Sequence, residues 1–295
     1  MDVVIICNGL GNQMSQYAFY LQKKKIDKST RFIFDRRSLS THNGYELENV
    51  FNIKYKEEFV DKLLFSLFRF LMIKRAQFIS LPIIKFLGVL GIKLINENPN
   101  YDHDPSLFKP TWGINFYYGG WHSEKNFIDV KAEISDVFQF KINSDHKLTN
   151  VLNDIKAADS VSIHVRRGDF LNAENINTFG SVCSKEYFEA AIEKINLLVK
   201  NPYFFVFTND VEWVRSNLIH ENLKIIDFNK KNESWKDMFL MSNCKHNINS
   251  NSTFSWWGSW LNKNKSQIVI VPKYFINNVI TKDFYPETWI KLSNY

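Results

Sequence analysis

Short runs of β-branched and aromatic residues alternate with amphipathic stretches of helical length along this chain, most regularly in its second half. The predicted strands there are 160–166, 203–208, 223–227, 246–249 and 267–271. The predicted helices are 185–200, 210–218, 235–244 and 253–262. Repeated βα units are typical of a parallel sheet covered by helices, and such sheets bind ligands at the carboxyl ends of their strands.

The first half begins in the same way, with a predicted strand at 3–7, a helix from about Asn12 and a strand at 31–35. A length of 295 residues fits two domains or one large α/β domain. We place a domain boundary near residue 150. Residues 96–120 are rich in Pro, Gly, Asn and aromatic side chains, so we predict a loop there.

Charge and cysteine content narrow the class of protein. The chain has 37 Lys and Arg against 31 Asp and Glu, a net charge of +6 that favours anionic partners: nucleic acid, nucleotide phosphates or an acidic membrane surface. Cys7, Cys183 and Cys244 are widely spaced, so neither a disulfide framework nor a zinc site is expected. The N-terminal sequence does not have the pattern of a secretory signal, and we expect a cytoplasmic protein.

Two basic stretches have open interpretations. Residues 59–95 are apolar and basic, which favours either helices packed on the first domain or an amphipathic face that contacts the inner surface of the membrane. The run from Lys23 to Lys25 is expected to form a solvated helix face.

The strongest local signal is the sequence HVRRGD at 164–169, at the end of a predicted strand. A guanidinium is always charged and can bind two phosphate oxygens at once. Alternation along a strand would put His164 and Arg166 on one side, and Arg167 and Asp169 on the other. We therefore predict that Arg166 faces an anionic ligand while Arg167 and Asp169 hold the loop.

A second signal is the sequence INSNSTFSWW at 248–257, where a strand leads into small polar residues and then into a helix. Free backbone N–H groups at a helix start attract phosphate. The predicted ligand residues are Ser250, Asn251, Ser252, Thr253 and Phe254. Ordinary N-capping by Ser252 or Thr253, with the tryptophans in the core, is the alternative interpretation, and the two are compatible.

Two shorter motifs follow other predicted strands. NGLGNQ at 8–13 has Met14 where the dinucleotide fingerprint has its third glycine, so it predicts only a tight turn that offers side-chain amides. FTND at 207–210 places Asn209 and Asp210 at a strand end. Asp210 is expected either to accept hydrogen bonds from a base or ribose, or to cap a helix.

Longer blocks closely resemble glycosyltransferase family 11, the α-1,2-fucosyltransferases, in its bacterial form. The matching blocks are NGLGNQMSQYAFY at 8–20, GGWHSEKNF at 119–127, HVRRGDF at 164–170, FTNDVEW at 207–213 and DMFLMSNCKHNINSNSTFSWWGSWLN at 237–262. They run in the family's order over most of the chain.

The resemblance implies a GT-B fold, in which two Rossmann-like domains face each other across a cleft. Residues 1–150 would form the acceptor-side domain and 151–295 the GDP-fucose-binding domain, with the last residues packing back on the first domain. It also implies an inverting, metal-independent transfer of L-fucose from GDP-fucose to the 2-hydroxyl of a terminal galactose. The galactose would belong to an oligosaccharide or to a lipid-linked glycan.

The same resemblance suggests roles for site residues. Arg166 would stabilise the departing diphosphate, and Asn12 would reach the cleft near the donor. His164, Asn209 and Asp210 would lie on the nucleoside side.

An inverting displacement usually needs a group that accepts the acceptor's proton, and Asp169 and Glu174 are the nearby candidates. No cofactor or metal is expected. Asp102-His103-Asp104 superficially resembles a metal-binding triplet of some glycosyltransferases, but it lies in a Pro- and Asn-rich stretch.

Two alternatives stay open. A glycosyltransferase that uses another nucleotide-sugar or another acceptor hydroxyl would carry the same motifs. A basic nucleic-acid-binding module is a more remote alternative, because the cationic residues are dispersed along the chain.

Overall fold

The computed structural model describes residues 1–39, 42–76, 81–142 and 145–293, with side chains except at 74–76 and 81. The chain divides into two compact units, Met1–Gln139 and Phe140–Tyr295. Each unit contains its own parallel sheet with helices, so the predicted α/β class is confirmed. The division falls ahead of residue 150 because the helix at 146–157 packs within the second unit.

The first unit has a four-stranded parallel sheet of order β2-β1-β4-β3. Its strands are β1 (Asp2–Ile6), β2 (Arg31–Phe34), β3 (Ile92–Asn96) and β4 (Ile114–Tyr118). Its helices are α1 (Leu10–Ile26), α2 (Glu46–Phe51), α3 (Phe59–Ala76), α4 (Leu81–Val89) and α5 (Lys131–Val137). The predicted first strand, first helix and second strand are confirmed.

The prediction that 96–120 is a loop is wrong at its end. Strand β4 lies there and pairs with both β1 and β3. Its centre, Phe116 and Tyr117, is fully buried. Glycines at 113 and 119 flank this five-residue strand, so the turn-rich composition around it hid the apolar run.

The apolar and basic stretch 59–95 forms helices and strand β3. Leu64, Phe68 and Leu71 of α3 pack into the core against the sheet, as the first interpretation predicted. Phe59 of α3 and Phe86 of α4 are exposed, so these helices also present apolar surface to solvent. Residues 77–80 of this stretch lie outside the described residues. Within the described part of the chain, no helix is long and apolar enough to cross a membrane.

The expectation of a solvated face at Lys23 to Lys25 is wrong for Lys23. This side chain is 1% exposed, and its Nζ lies 2.7 Å from Oδ2 of the buried Asp2. The ammonium also donates to the hydroxyl of Tyr117 at 3.0 Å. Only Lys24 and Lys25 are exposed. Burial of a charge requires such partners, which sequence periodicity does not reveal.

The second unit has a six-stranded parallel sheet of order β10-β9-β8-β5-β6-β7. Its strands are β5 (Asp159–Val165), β6 (Pro202–Thr208), β7 (Leu223–Ile226), β8 (His246–Ile248), β9 (Val269–Pro272) and β10 (Ile290–Leu292). Its helices are α6 (His146–Ala157), α7 (Lys185–Leu198), α8 (Val211–Asn217), α9 (Trp235–Asn243) and α10 (Thr253–Trp260).

All strands and helices predicted for the second half are confirmed within one or two residues at their ends. The final strand β10 pairs with β9 in the second unit's own sheet. Packing of the last residues on the first domain stays a prediction. Cys7, Cys183 and Cys244 are buried free thiols, in agreement with the expected absence of a disulfide framework.

Candidate functional site

The carboxyl ends of three neighbouring strands of the second sheet form the candidate site. Strand β5 lies between β8 and β6, with Val165 opposite Thr208 and Ile163 opposite Ile248. Since parallel strands end at the same edge, this register brings Arg166 close to the segments that follow β6 and β8. The predicted motifs at 164–169, 207–210 and 248–257 therefore meet at one edge.

Two ion pairs hold the loop after β5. Nε and Nη2 of Arg166 lie 2.8 and 2.9 Å from the two carboxylate oxygens of Asp169. Arg167 instead pairs with Asp210 at 3.1 Å, and its guanidinium lies 4.3 Å from the ring centroid of Trp213. Arg167 and Asp169 therefore hold the loop as predicted, each through a separate ion pair. The strand ends at Val165, so strand alternation does not decide the partners of the residues beyond it.

Arg166 remains available to a ligand. A guanidinium has five N–H donors, and the pair with Asp169 occupies only the edge formed by Nε and Nη2. Among the described residues, Nη1 has no acceptor. The side chain is 36% exposed, so an anion can reach the remaining edge.

His164, two residues before Arg166, is buried near the end of β5 and is neutral. It is 5% exposed, its Nδ1 lies 2.9 Å from Oγ of Ser250, and its ring lies 5.6 Å from that of Phe254. Burial, together with the smaller effect of the Arg166 charge, lowers the pKa of His164 to about 3. His164 therefore joins β5 to the polar segment after β8 through a hydrogen bond, without adding a positive charge.

The start of α10 shows the helix capping that one interpretation of the polar run predicted. Ser252 is the N-cap, and its hydroxyl accepts from the backbone N–H of Phe254 at 3.3 Å. Asn251 is 1% exposed and donates to the carbonyls of Phe179 and Phe275, so its amide holds two loops. Thr253 and Phe254 are half-buried at the helix start. Capping by Ser252 is thus confirmed, and ligand binding by this segment stays a prediction.

The segment after β6 is also partly structural. Asp210 caps α8 by accepting from the N–H of Trp213 at 3.1 Å, as one of its two interpretations predicted. Asn209 accepts from the N–H of Arg167 at 3.0 Å. A Cβ on Gly168 would lie 2.5 Å from Nδ2 of Asn209, so only glycine permits this approach.

The remaining predicted residues lie elsewhere. Asn12 is half-buried on α1 of the first unit, and its neighbour Gln13 is fully buried. Gln13 donates to the carbonyls of Asn8 and Gly44, so its amide is not offered to a ligand as expected. Glu174 is exposed in the turn after Leu171.

A polar cluster that includes Glu97 and His122 lies in the first unit, at the carboxyl ends of β3 and β4. It was not predicted from the sequence. Oε2 of Glu97 accepts from the N–H of Gly120 at 2.7 Å. Burial raises the pKa of Glu97 to about 7, although backbone hydrogen bonds oppose that shift. Nδ1 of His122 lies 3.0 Å from Oγ of Ser15, and burial lowers the pKa of His122 to about 3. The block GGWHSEKNF was the available signal, but Glu97 lies outside every matching block.

The Asp102-His103-Asp104 triplet makes contacts within the protein. Asp104 caps the turn Pro105–Phe108, and Nδ1 of His103 lies 2.8 Å from Oδ1 of Asn126. Nowhere in the described ranges do three His, Cys, Asp or Glu side chains stand together as metal ligands. The metal-independent reaction stays a prediction.

Comparison with known proteins gives a family. The family model of Glycosyl transferase family 11 matches residues 2–293. An alpha-1,2-colitosyltransferase of Escherichia coli is 30% identical over 309 residues, covering 99% of both chains. Galactoside alpha-(1,2)-fucosyltransferase 2 of Bos taurus is 27% identical, covering 62% of this chain and 55% of its own. The crystal structure of NodZ alpha-1,6-fucosyltransferase soaked with GDP-fucose has a TM-score of 0.48 and 12% identity, covering 88% of this chain and 91% of NodZ.

The lowered pKa of His164 predicts how pH acts on stability. The folded chain keeps His164 neutral to about pH 3, whereas the unfolded chain takes up a proton near pH 6.5. The stability contributed by neutral His164 is therefore present above pH 6.5 and lost as pH falls. Between pH 7 and pH 5 we expect a loss of about 2 kcal/mol from this group.

Urea unfolding of the wild type and His164→Gln across this pH range measures the effect. The stability difference between the two should shrink by about 2 kcal/mol from pH 7 to pH 5. His146→Gln, an exposed histidine at the start of α6, is the control and should show little change. A difference that is independent of pH would show that His164 is not held neutral by the fold.

Proposed function

Because the chain belongs to glycosyl transferase family 11, we propose that it transfers L-fucose from GDP-fucose to the 2-hydroxyl of a terminal galactose, with inversion. The observation that carries the proposal is the position of Arg166. This permanent cation stands at the carboxyl edge of the second sheet with one edge of its guanidinium free among the described residues.

The chemistry needs such a cation. When the glycosidic bond to phosphate breaks, negative charge develops on the departing diphosphate while the sugar gains positive charge. A fixed guanidinium stabilises the departing group without having to reorganise. The pair with Asp169 orients Arg166, so we assign Asp169 a positioning role. Glu174, exposed in the next turn, stays the candidate that accepts the proton of the acceptor hydroxyl.

The start of α10 would support Arg166. A helix N-terminus carries partial positive charge and unpaired N–H groups, which favour phosphate. The backbone from Ser250 to Thr253 delivers this end to the edge where β5 also ends. The neutral His164 holds the two segments together. We propose that these groups replace a metal ion at the diphosphate.

The donor has one specific alternative. One relative that covers 99% of this chain is named for colitose, a 3,6-dideoxyhexose that lacks the 3-hydroxyl of L-fucose. A site built to hydrogen-bond that hydroxyl would reject the dideoxy sugar strongly, whereas an apolar site would discriminate little. The relative rate with the two donors therefore decides between the two sugars.

Purified chain, incubated with GDP-fucose or GDP-colitose and a panel of β-galactosides, tests the proposal. We expect GDP release and an α-1,2-linked fucosyl product, identified by NMR linkage analysis. Activity should be unchanged in EDTA, and GDP should inhibit better than UDP. If colitose is transferred faster than fucose, GDP-colitose and not GDP-fucose is the donor. Loss of activity in EDTA, restored by a divalent metal, would contradict the role of Arg166 as the main cation.

Arg166→Lys should fold but lose at least about 100-fold in kcat, because a point ammonium cannot reproduce the bidentate grip of a guanidinium. Steady-state kinetics with GDP-fucose measure the loss. Arg215→Lys is the matched control, since Arg215 pairs with Glu212 on the exposed side of α8. Near-normal turnover in Arg166→Lys would remove Arg166 from the mechanism.

We also propose that the first unit makes a peripheral contact with an anionic membrane surface on the cytoplasmic side. Helix α4 and the residue after it expose apolar side chains at Ile83, Phe86, Val89 and Leu90. Trp112, 63% exposed, lies beside Gly91 at the end of this segment. The exposed cations Lys62, Arg69 and Lys85 stand on α3 and α4. Apolar side chains with neighbouring cations are typical of helices that lie on anionic lipid.

Flotation with vesicles that contain one third phosphatidylglycerol measures this contact. The wild type should float at low salt, and Phe86→Glu/Val89→Glu should reduce the bound fraction at least about fivefold. Leu197→Glu, at an equally exposed leucine of the second unit, should float like the wild type. Equal flotation of all three proteins would exclude α4 as the contact.

A further inference from the structure

The loop that carries Arg166 is held by contacts outside the sheet. Residues 166–184 join β5 to α7 and contain two short helical turns, Gly168–Leu171 and Ile176–Gly180. Positions 171–174 are all exposed. Burial of apolar side chains therefore does little to fix the middle of this loop, and its position depends on polar contacts with other segments.

The segment after β9 is anchored in the core of the second unit. Phe275 is 5% exposed, and its ring stacks on that of the fully buried Phe284 with centroids 3.8 Å apart. Nδ2 of Asn251 donates to the carbonyl of Phe275 at 3.0 Å. Asn277 follows Phe275 by two residues, so its backbone starts from a fixed point.

Asn277 joins this segment to the second turn of the loop through three hydrogen bonds. Its backbone N–H donates to the carbonyl of Thr178 at 2.9 Å. Its Nδ2 donates to the carbonyls of Asn177 at 2.9 Å and of Ile176 at 3.4 Å. An aliphatic or acidic side chain at this position would have no N–H to donate to these carbonyls.

The same turn reaches Arg166 by two routes. Nδ2 of Asn175, directly before the turn, donates to the backbone carbonyl of Asp169 at 3.0 Å. Phe179, within the turn, stacks on Phe170 with ring centroids 5.0 Å apart. The ring of Phe170 lies 5.8 Å from Cζ of Arg166. The two residues that contact the guanidinium, Asp169 and Phe170, are therefore both tied to this turn.

The ion pair between Arg166 and Asp169 needs this support. The two side chains are 36% and 44% exposed, and an ion pair between partly exposed groups is weak by itself. A long side chain such as that of arginine also loses much rotamer freedom when it is held in one orientation. The backbone position of Asp169 therefore decides how firmly the guanidinium is oriented before a ligand arrives, as a preorganised charge requires.

We propose that Asn277 is a positioning residue for Arg166. Its amide docks the turn Ile176–Gly180, and through Asn175 and Asp169 this turn holds the guanidinium in the orientation that receives an anion. Only the identification of that anion as the diphosphate of a nucleotide-sugar rests on the proposed function. Asn277 lies after the last of the matching sequence blocks and far from Arg166 in the chain, so no local pattern indicates this role.

NMR on the ¹⁵N-labelled full-length chain measures the orientation of Arg166. Its Nε–H signal is assigned by its disappearance in Arg166→Lys. In Asn277→Ala this signal should exchange with water at least about fivefold faster than in the wild type, because Asp169 no longer holds the guanidinium in one place. Asn277→Asp, which keeps the size of the side chain and removes its N–H donors, should show the same change.

Calorimetry with GDP connects this change to ligand binding. Asn277→Ala should weaken GDP binding about tenfold in the wild-type background and less than about twofold in the Arg166→Lys background. The reason is that two substitutions that act through one guanidinium are not additive. A merely structural role would weaken binding equally in both backgrounds. Thermal melting shows whether each variant is folded.

The matched control is Asn243→Ala. Nδ2 of Asn243 donates to the carbonyl of Phe239 at 2.8 Å at the end of α9, which leads to the amino end of β8. This variant loses a hydrogen bond of the same kind at the other edge of the sheet. It should leave both the Arg166 signal and the affinity for GDP unchanged.

The possible results separate the two proposals. A faster-exchanging Arg166 signal in both Asn277 variants, with non-additive effects on GDP affinity, supports the inference. An unchanged signal, or an equal loss of GDP affinity in both backgrounds, would overturn it even if fucosyl transfer is confirmed. Loss of the folded state in both variants would also overturn it, because Asn277 would then stabilise the unit as a whole. If the wild type does not bind GDP, the proposed function fails, and the Arg166 signal alone decides the role of Asn277.

Discussion

The parallel pairing of β5 with β6 and β8 decides where the polar side chains of the second unit stand. Because all three strands end at one edge, residues distant in sequence, such as Arg166, Asn209 and Ser250, arrive there together. The hydrogen bond between His164 and Ser250 joins two of these ends inside the core. That bond is available to a neutral imidazole, which burial maintains.

The same constraint acts in the first unit, where β3 and β4 deliver Glu97 and the glycine pair to a common edge. Gln16 on α1 donates to the carbonyl of Gly119 at 2.9 Å, and Ser15 meets His122. The first two sequence blocks of the family, far apart in the chain, are thus joined by side-chain hydrogen bonds. Gln16 and Ser15 thereby hold the loop that contains Gly119 and His122.

Much of this fold follows from local sequence, because strands and helices in the second half have clear periodicity and helix caps such as Ser184 and Ser252. Strand β4 was missed because its five residues, of which four are apolar or aromatic, lie within a turn-rich stretch. Lys23 was predicted to be exposed because a run of charged residues normally faces solvent. Its ion pair with the buried carboxylate of Asp2 is formed only by the fold.

The candidate site was partly predictable for a related reason. Motifs at strand ends located Arg166, His164 and the start of α10. The partner of Arg166 could not be predicted, since the strand ends one residue before it and the following turn brings Asp169 back. Glu97 gave no signal in sequence, because its importance comes from contacts with a loop more than twenty positions away. The facing of the two domains across a cleft stays a prediction.

The tight seating of Gly119 and Gly120 bears on which positions in this part of the first unit can vary. Side chains at those positions would collide with Glu97 and His122. Substitutions there would therefore disrupt the packing of this loop. Asn98, Pro99 and Asp104 line a cavity together with Glu97, and these three residues are exposed. Substitutions confined to those exposed positions would therefore change the lining of the cavity and leave the buried scaffold beneath it in place.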